Sequence, residues 1–249
     1  MAFLKAIVVG NGRVPARHSL PATVFDDVAL VVAADGGAEG AIGLGLRPDL
    51  VVGDMDSLAP EALRRLESDG TAVERMAVEK DESDLELAIR AALARGATTI
   101  MILGALGGPR VEHELANVAL LGLGGPDTVI AIMDERCTIR MLDGGARTSG
   151  GETATMDVRG EPGDFVSLQP WGGDVDGVTT RGLRYPLRDE PLLMGPSRGL
   201  SNELTGRRGA VSCRRGRALV IHTRRSALAA GSIEPQTARR GRAVTTEVR

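Results

Sequence analysis

Six short runs in the first half of the chain are mainly apolar rather than alternating, with Glu74 and Arg75 the charged exceptions. They are Ala6–Gly10, Leu30–Ala34, Leu50–Gly53, Ala72–Met76, Thr99–Leu103 and Val129–Met133. Strands of that kind must be covered on both faces, and parallel sheets flanked by helices provide such cover. Between the runs lie helical patterns. Leu85, Ala88, Ile89, Ala92 and Leu93 form one apolar stripe in a helix expected to start near Asp81, with Gly96 as its stop. A second helix is expected to carry Val111, Leu115, Val118 and Gly122 on one face. The alternation predicts an α/β fold with a doubly wound parallel sheet, whose ligands bind beyond the carboxyl ends of the strands.

The pattern changes near Leu142. Gly144, Gly145, Gly150 and Gly151 mark a linker, followed by short runs at Thr153–Val158, Asp164–Leu168, Gly177–Thr180, Ala210–Cys213 and Ala218–His222. These read as a small all-β domain with no helix. The expected division is residues 1–141 for the α/β domain, 142–225 for the β-domain and 226–249 for an Arg-rich, disordered tail.

Three clusters follow predicted strands and should converge: Ala34-Asp35-Gly36-Gly37, Gly53-Asp54-Met55-Asp56-Ser57, and Glu79-Lys80-Asp81-Glu82-Ser83-Asp84. Asp54 and Asp56 lie two residues apart, which puts them on one side of an extended chain. A hard divalent cation carrying a polyphosphate takes such an oxygen pair, so Mg²⁺ is expected there; a plain loop pair is the competing reading. Asp81 and Asp84 read equally as an N-cap with an acid three residues on, and as metal or phosphate ligands. Lys80 either balances charge or contacts a phosphate. Gly36-Gly37 and Gly104-Ala105-Leu106-Gly107-Gly108 are glycine-rich turns where main-chain N–H groups can approach phosphate oxygens. Neither is a Walker A loop. Arg110, His113 and Asn117 share one helical stripe; the arginine suits a phosphate, and a lone histidine is more often structural. Trp171 is either core or a stacking platform.

A net charge of −3 argues against a basic nucleic-acid surface. No apolar run approaches a membrane span. Two cysteines, no disulfide framework and no leader point to a reducing, cytoplasmic setting.

In order and spacing these residues resemble the thiamine pyrophosphokinase (thiamine diphosphokinase) family. The resemblance rests on Ala34-Asp35-Gly36-Gly37-Ala38, Pro48-Asp49, Gly53-Asp54-Met55-Asp56-Ser57, Glu79-Lys80-Asp81-x-Ser83-Asp84-Leu85-Glu86, Gly104 to Gly108, Arg110-x-Glu112-His113 and Asn117. It continues through Gly177-Val178-Thr179-Thr180-x-Gly182-Leu183-x-Tyr185-Pro186-Leu187 and Ser201-Asn202-Glu203. It implies a homodimer with an α/β nucleotide domain and a β-sandwich, joining ATP and thiamine to give thiamine diphosphate and AMP. By that resemblance Asp54, Asp56 and Asp84 would hold Mg²⁺. Asp81, Lys80 and Arg110 would surround the phosphates, with Gly36, Gly37, Gly107, Gly108 and Asn117 toward the nucleotide. Asp35, Ser201 and Asn202 would belong to an intersubunit thiamine pocket. This chain departs from the family pattern in Ser83 for threonine, Pro109 as an extra loop residue, and Glu112 for aspartate. A pyrophosphokinase for another hydroxymethyl heterocycle, such as a pterin, and a non-catalytic nucleotide sensor are the alternatives.

Overall fold

The structure, a computed structural model, describes residues 4–125, 127–145 and 153–230. The six apolar runs form β1 (Lys5–Val9), β2 (Val28–Ala34), β3 (Leu50–Gly53), β4 (Ala72–Arg75), β5 (Thr99–Leu103) and β6 (Val129–Met133). They run parallel in the order β4-β3-β2-β1-β5-β6. The order reverses between β1 and β5, so their carboxyl ends make the crevice of a doubly wound sheet.

The uniform apolar character follows from cover on both faces. Ala6 and Val8 belong to one core, Ile7 and Val9 to the other, and all four are fully buried. One face is covered by α3 (Asp84–Ala94) through Leu85, Ala88, Ile89 and Ala92. The opposite face is covered by α1 (Gly37–Gly43) and α2 (Pro60–Ser68).

Helix α3 starts three residues later than expected. Its N-cap is Ser83, whose Oγ accepts from Glu86 N at 3.2 Å, so Asp81 is not the cap. Capping by a hydroxyl releases Asp84 from that duty. Gly96 follows the helix with φ of 85°, the left-handed stop its sequence foretells. The helix after the second glycine loop, α4 (Val111–Ala119), ends before Gly122 and turns its expected apolar stripe outward. Val111 and Leu115 are 69% and 60% exposed, and only Val118 of that set packs on the core.

The sheet does not stop at the expected boundary. β7 (Cys137–Asp143) pairs antiparallel with β6, spans residues 141 and 142, and extends the sheet into the second half. There follow β8 (Ala154–Arg159), β9 (Phe165–Pro170), β10 (Val175–Arg181), β11 (Glu190–Leu192), β12 (Asn202–Glu203), β13 (Arg208–Cys213) and β14 (Arg217–Thr223). The ten-stranded sheet finishes β6-β7-β14-β9-β12, and β11-β10-β13-β8 forms a second, antiparallel sheet. The two sandwich a core of Val158, Val166, Leu168, Val178 and Val211. The fold is thus a large mixed sheet with helices followed by a small antiparallel sheet. Trp171 packs against the main core. Of the expected disordered tail, residues 226–230 belong to helix α5 (Arg225–Ala230), and 231–249 lie outside the described residues. Gly150 and Gly151 of the expected linker also lie outside them.

Candidate active site

A cavity of about 630 Å³ opens at the crevice. Gly10, Asn11 and Gly12 line it from the end of β1, Ala34 and Asp35 from β2, and Asp54 from β3. Lys80, Ser83 and Asp84 line it ahead of and within α3. Ala105, Gly108 and Pro109 come from the second glycine loop, and Arg110, His113, Glu114 and Asn117 from the start and one face of α4. The volume suits a nucleotide-sized ligand.

One carboxylate oxygen from each of Asp35, Asp54 and Asp84 lies within 4.8 Å of the others. Three different elements deliver them. Asp35 follows β2 with φ of 45°, an uncommon backbone for a non-glycine residue and one typical of functional sites. Gly53 makes room: a Cβ there would stand 2.9 Å from Asp35 Cβ and 3.2 Å from Asp84 Oδ1. Helix α3 brings Asp84.

The expected metal pair is split. β3 ends at Gly53 and Met55 takes φ of 67°, so the chain is not extended through Asp56. Asp56 is not among the three clustered carboxylates; its Oδ1 accepts from Ser57 Oγ at 2.9 Å, while Met55 is buried with residues of α2. Asp35, assigned to thiamine on the resemblance, stands beside Asp54 and Asp84 in the acidic cluster.

The electrostatics fit a hard cation. Asp35 Oδ1 and Asp84 Oδ1 are buried and accept no aligned hydrogen bond among the described residues. Lys80 Nζ does lie 2.9 Å from Asp84 Oδ1, but as an ion pair off the line of a hydrogen bond. Burial raises the Asp35 carboxyl above its usual range; donation from Ser57 opposes this and Asp56 adds to it. For Lys80 burial works against the charged form, but Asp84, Asp54 and Asp35 outweigh it and raise the ammonium's pKa. A buried carboxylate oxygen with unspent acceptor capacity, as at Asp35 Oδ1, is what an oxygen-seeking divalent cation would satisfy.

The remaining expected residues are dispersed. Arg110 precedes α4 and pairs with Glu112 at 2.6 Å, and that contact lowers the Glu112 pKa. Asn117 lines the cavity, yet its Nδ2 donates to Ala105 O at 2.8 Å, which pins the glycine loop. Gly108 lines the cavity; Gly36, Gly37, Gly107 and Asp81 do not. Ser201 and Asn202 also lie off it. Asn202 is buried and committed: its Oδ1 accepts from Tyr185 N at 2.9 Å, and its Nδ2 donates to Tyr185 O at 2.6 Å.

Sequence reasoning missed Gly10-Asn11-Gly12. This segment is zipped onto the glycine loop by Gly12 N to Gly104 O and Arg13 N to Leu106 O, both 2.8 Å. A Cβ on Gly10 would meet Gly104 O at 2.8 Å. A Gly-x-Gly directly after the first strand was the available signal.

Comparison with known proteins shows the family and the fold. Residues 22–124 match the thiamin pyrophosphokinase catalytic domain, and residues 153–217 match the thiamin pyrophosphokinase vitamin B1 binding domain. Thiamine pyrophosphokinase of Bacillus subtilis (strain 168) is 30% identical over 200 residues, covering 80% of this chain and 89% of the relative. The chain belongs to the thiamine pyrophosphokinase family. Among solved structures, the Bacillus subtilis thiamine pyrophosphokinase superposes with a TM-score of 0.74 at 28% identity, covering 89% of this chain and 99% of that one. Thiamin pyrophosphokinase from Geobacillus thermodenitrificans gives 0.71 at 30% identity, covering 88% and 97%. A family member is an enzyme that diphosphorylates thiamine, and neither the pterin nor the sensor alternative is favoured.

Proposed function

We propose that this cavity transfers the pyrophosphoryl group of ATP in one step to the hydroxyl of thiamine, giving thiamine diphosphate and AMP. The observation that carries this is the convergence of three carboxylates, two with buried oxygens lacking aligned donors, at the crevice of a sheet whose family diphosphorylates thiamine.

Asp35, Asp54 and Asp84 would hold Mg²⁺, a set that exchanges the expected Asp56 for Asp35. A bound Mg²⁺ supplies charge neutralisation on the phosphates. The chain's own groups do the rest. Lys80 and Arg110 offset negative charge on the transferred group and on departing AMP. The Gly104–Gly108 loop, pinned by Asn117, holds main-chain N–H groups in place for phosphate oxygens. Such chemistry depends on positioning and electrostatics more than on a strong base. Glu112, paired with Arg110 and lowered in pKa, is a poor proton acceptor.

Ser201 and Asn202 stand away from the cavity of their own chain, in the domain matched to vitamin B1 binding. We therefore infer a homodimer in which the β-domain of one copy completes the thiamine side of the other's cavity. The exposed Val111 and Leu115 beside the cavity support such a contact. In this division residues 1–141 carry the nucleotide and 142–225 the thiamine. Two free cysteines, Cys137 and Cys213, accord with a cytoplasmic setting. No helix among the described residues is long and apolar enough to cross a membrane.

Incubation with ATP, Mg²⁺ and thiamine should release AMP and form thiamine diphosphate. ADP as the nucleotide product would overturn the one-step reading, and AMP release only with a pterin would move the substrate. For the dimer, mixing inactive Asp84→Asn with inactive Ser201→Ala should restore part of the activity; no restoration would place each site within one chain.

A further inference from the structure

The acidic triad has a resident positive charge. Lys80 Nζ is 2.9 Å from Asp84 Oδ1 and 3.9 Å from Asp54 Oδ2, and its side chain is only 14% exposed. Its third contact is Ala77 O at 3.2 Å. Asp84 Oδ1 is also one of the two buried oxygens with no aligned hydrogen bond. The oxygen most fit to take a metal is therefore the one the ammonium leans on.

We propose that Lys80 is the counter-ion of the metal site, and that a divalent cation displaces it from Asp84 and hands it to the substrate phosphates. The inference rests on the magnesium reading above and assigns an order of events within that site.

Three physical points carry it. An ammonium and a divalent cation share one carboxylate oxygen only at a cost, since like charges at 3–4 Å repel in a partly desolvated site. The lysine ammonium is a compact point charge paired with Asp84 at 2.9 Å, not a forked bidentate contact, so a stronger cation at the same carboxylate can take its place. Lys80 also lies outside regular structure, between β4 and α3, on a four-carbon stem that can swing while Ala77 O remains near. The lysine lines the same cavity, so displacement leaves the ammonium facing the space where phosphates would sit. In the absence of nucleotide the metal must work against the lysine; when phosphates are present they accept it. Metal and nucleotide thereby assist each other's binding.

The chain offers a clean probe, because Lys5 and Lys80 are its only lysines. Lys5 Nζ is held elsewhere, by Thr23 O at 2.7 Å and Asp26 O at 2.8 Å. NMR of the full chain with ¹³C-labelled lysine, titrated with Mg²⁺ without nucleotide, should move the Lys80 side-chain signal and leave Lys5 still. Mn²⁺ binding, measured calorimetrically without nucleotide, should be tighter in Lys80→Met by on the order of tenfold, the effect of removing one competing charge. Lys80→Arg, which keeps the charge, should bind like the wild type and confirms that any change is not a folding defect. Equal or weaker Mn²⁺ binding in a folded Lys80→Met, or a stationary Lys80 signal while metal binds, overturns the exchange. If neither wild type nor Lys80→Met binds Mn²⁺, and Mg²⁺ moves no lysine signal, the magnesium reading fails and takes the exchange with it.

Discussion

Asp35, Asp134 and Asp164 are equally buried, at 3%, 4% and 5% exposure, yet they are opposite in kind. Asp134 Oδ1 accepts from the N–H groups of Arg136 and Cys137, both at 2.7 Å, and its other oxygen pairs with Arg136. Asp164 accepts from Glu161 N, Arg225 N and His222 Nε2, all at 2.9 Å. Asp35 accepts from Ser57 N at 3.2 Å, and its Oδ1 has no hydrogen-bond partner among the described residues. Burial pushes all three carboxyls upward, but donors reverse the shift for Asp134 and Asp164, whereas Asp35 stays raised. The saturated aspartates close turns. The unsaturated one faces a cavity beside two more carboxylates. Burial alone does not mark a functional carboxylate; burial with unspent acceptor capacity does.

The strongest way to break this contrast is to neutralise one acid of each kind. Asp84→Asn should lower thiamine diphosphate formation by about 100-fold or more, since a direct metal contact should matter at least as much as the outer partners of metal ligands. Its melting temperature should stay level or rise, because like charges have been relieved. A variant retaining near-normal turnover at saturating Mg²⁺ would remove the triad from the chemistry.

Asp164→Ala should do the reverse. It strands two main-chain N–H groups and His222 in a part-buried corner, at a cost of about 3 kcal/mol. For a chain of this size that is a fall in melting temperature of roughly 6–12 °C. Turnover per folded molecule should hold, and a loss of turnover without a loss of stability would show that the corner communicates with the site.

The same contrast explains what could be read from sequence. Strands β1, β2, β3, β5 and β6 were legible because buried parallel strands leave Val, Ile, Leu and Ala runs; β4, at the sheet edge, carries Glu74 and Arg75 and is not buried. The clusters after them were legible because a doubly wound sheet gathers its strand ends. The acidic cluster was half legible. Asp54-x-Asp56 looked like a pair only if the chain stayed extended, and the left-handed Met55 that breaks it leaves no mark in composition. Asp35 was visible as a residue, but its place beside Asp84 depends on the absent Cβ of Gly53 and on Ser83 taking the cap of α3. The short β11 and β12 carry no periodic signal in two or three residues. Helix α4 misled because a stripe destined for the surface has the same spacing as one destined for a core.

The smallest effect separates the two kinds of aspartate by sign. Asp134 and Asp164 hold a proton less tightly in the folded chain than in the unfolded one, because main-chain donors and Arg136 or His222 outweigh burial. Their stabilisation is present above the unfolded value near 3.8 and is lost as pH falls through their lower folded values. Asp35 holds its proton more tightly when folded. It weakens the metal-free fold at neutral pH, and that penalty is relieved as pH falls through its raised folded value. In chelator, Asp35→Asn should therefore gain stability relative to wild type at pH 7, with the gain shrinking as pH is lowered. Asp164→Asn should lose stability relative to wild type at pH 7, with the deficit shrinking only below pH 4. Urea titrations of both variants across that range measure the two slopes. Parallel slopes would mean that Asp35 is as well satisfied as Asp164 and is not held in reserve for a cation.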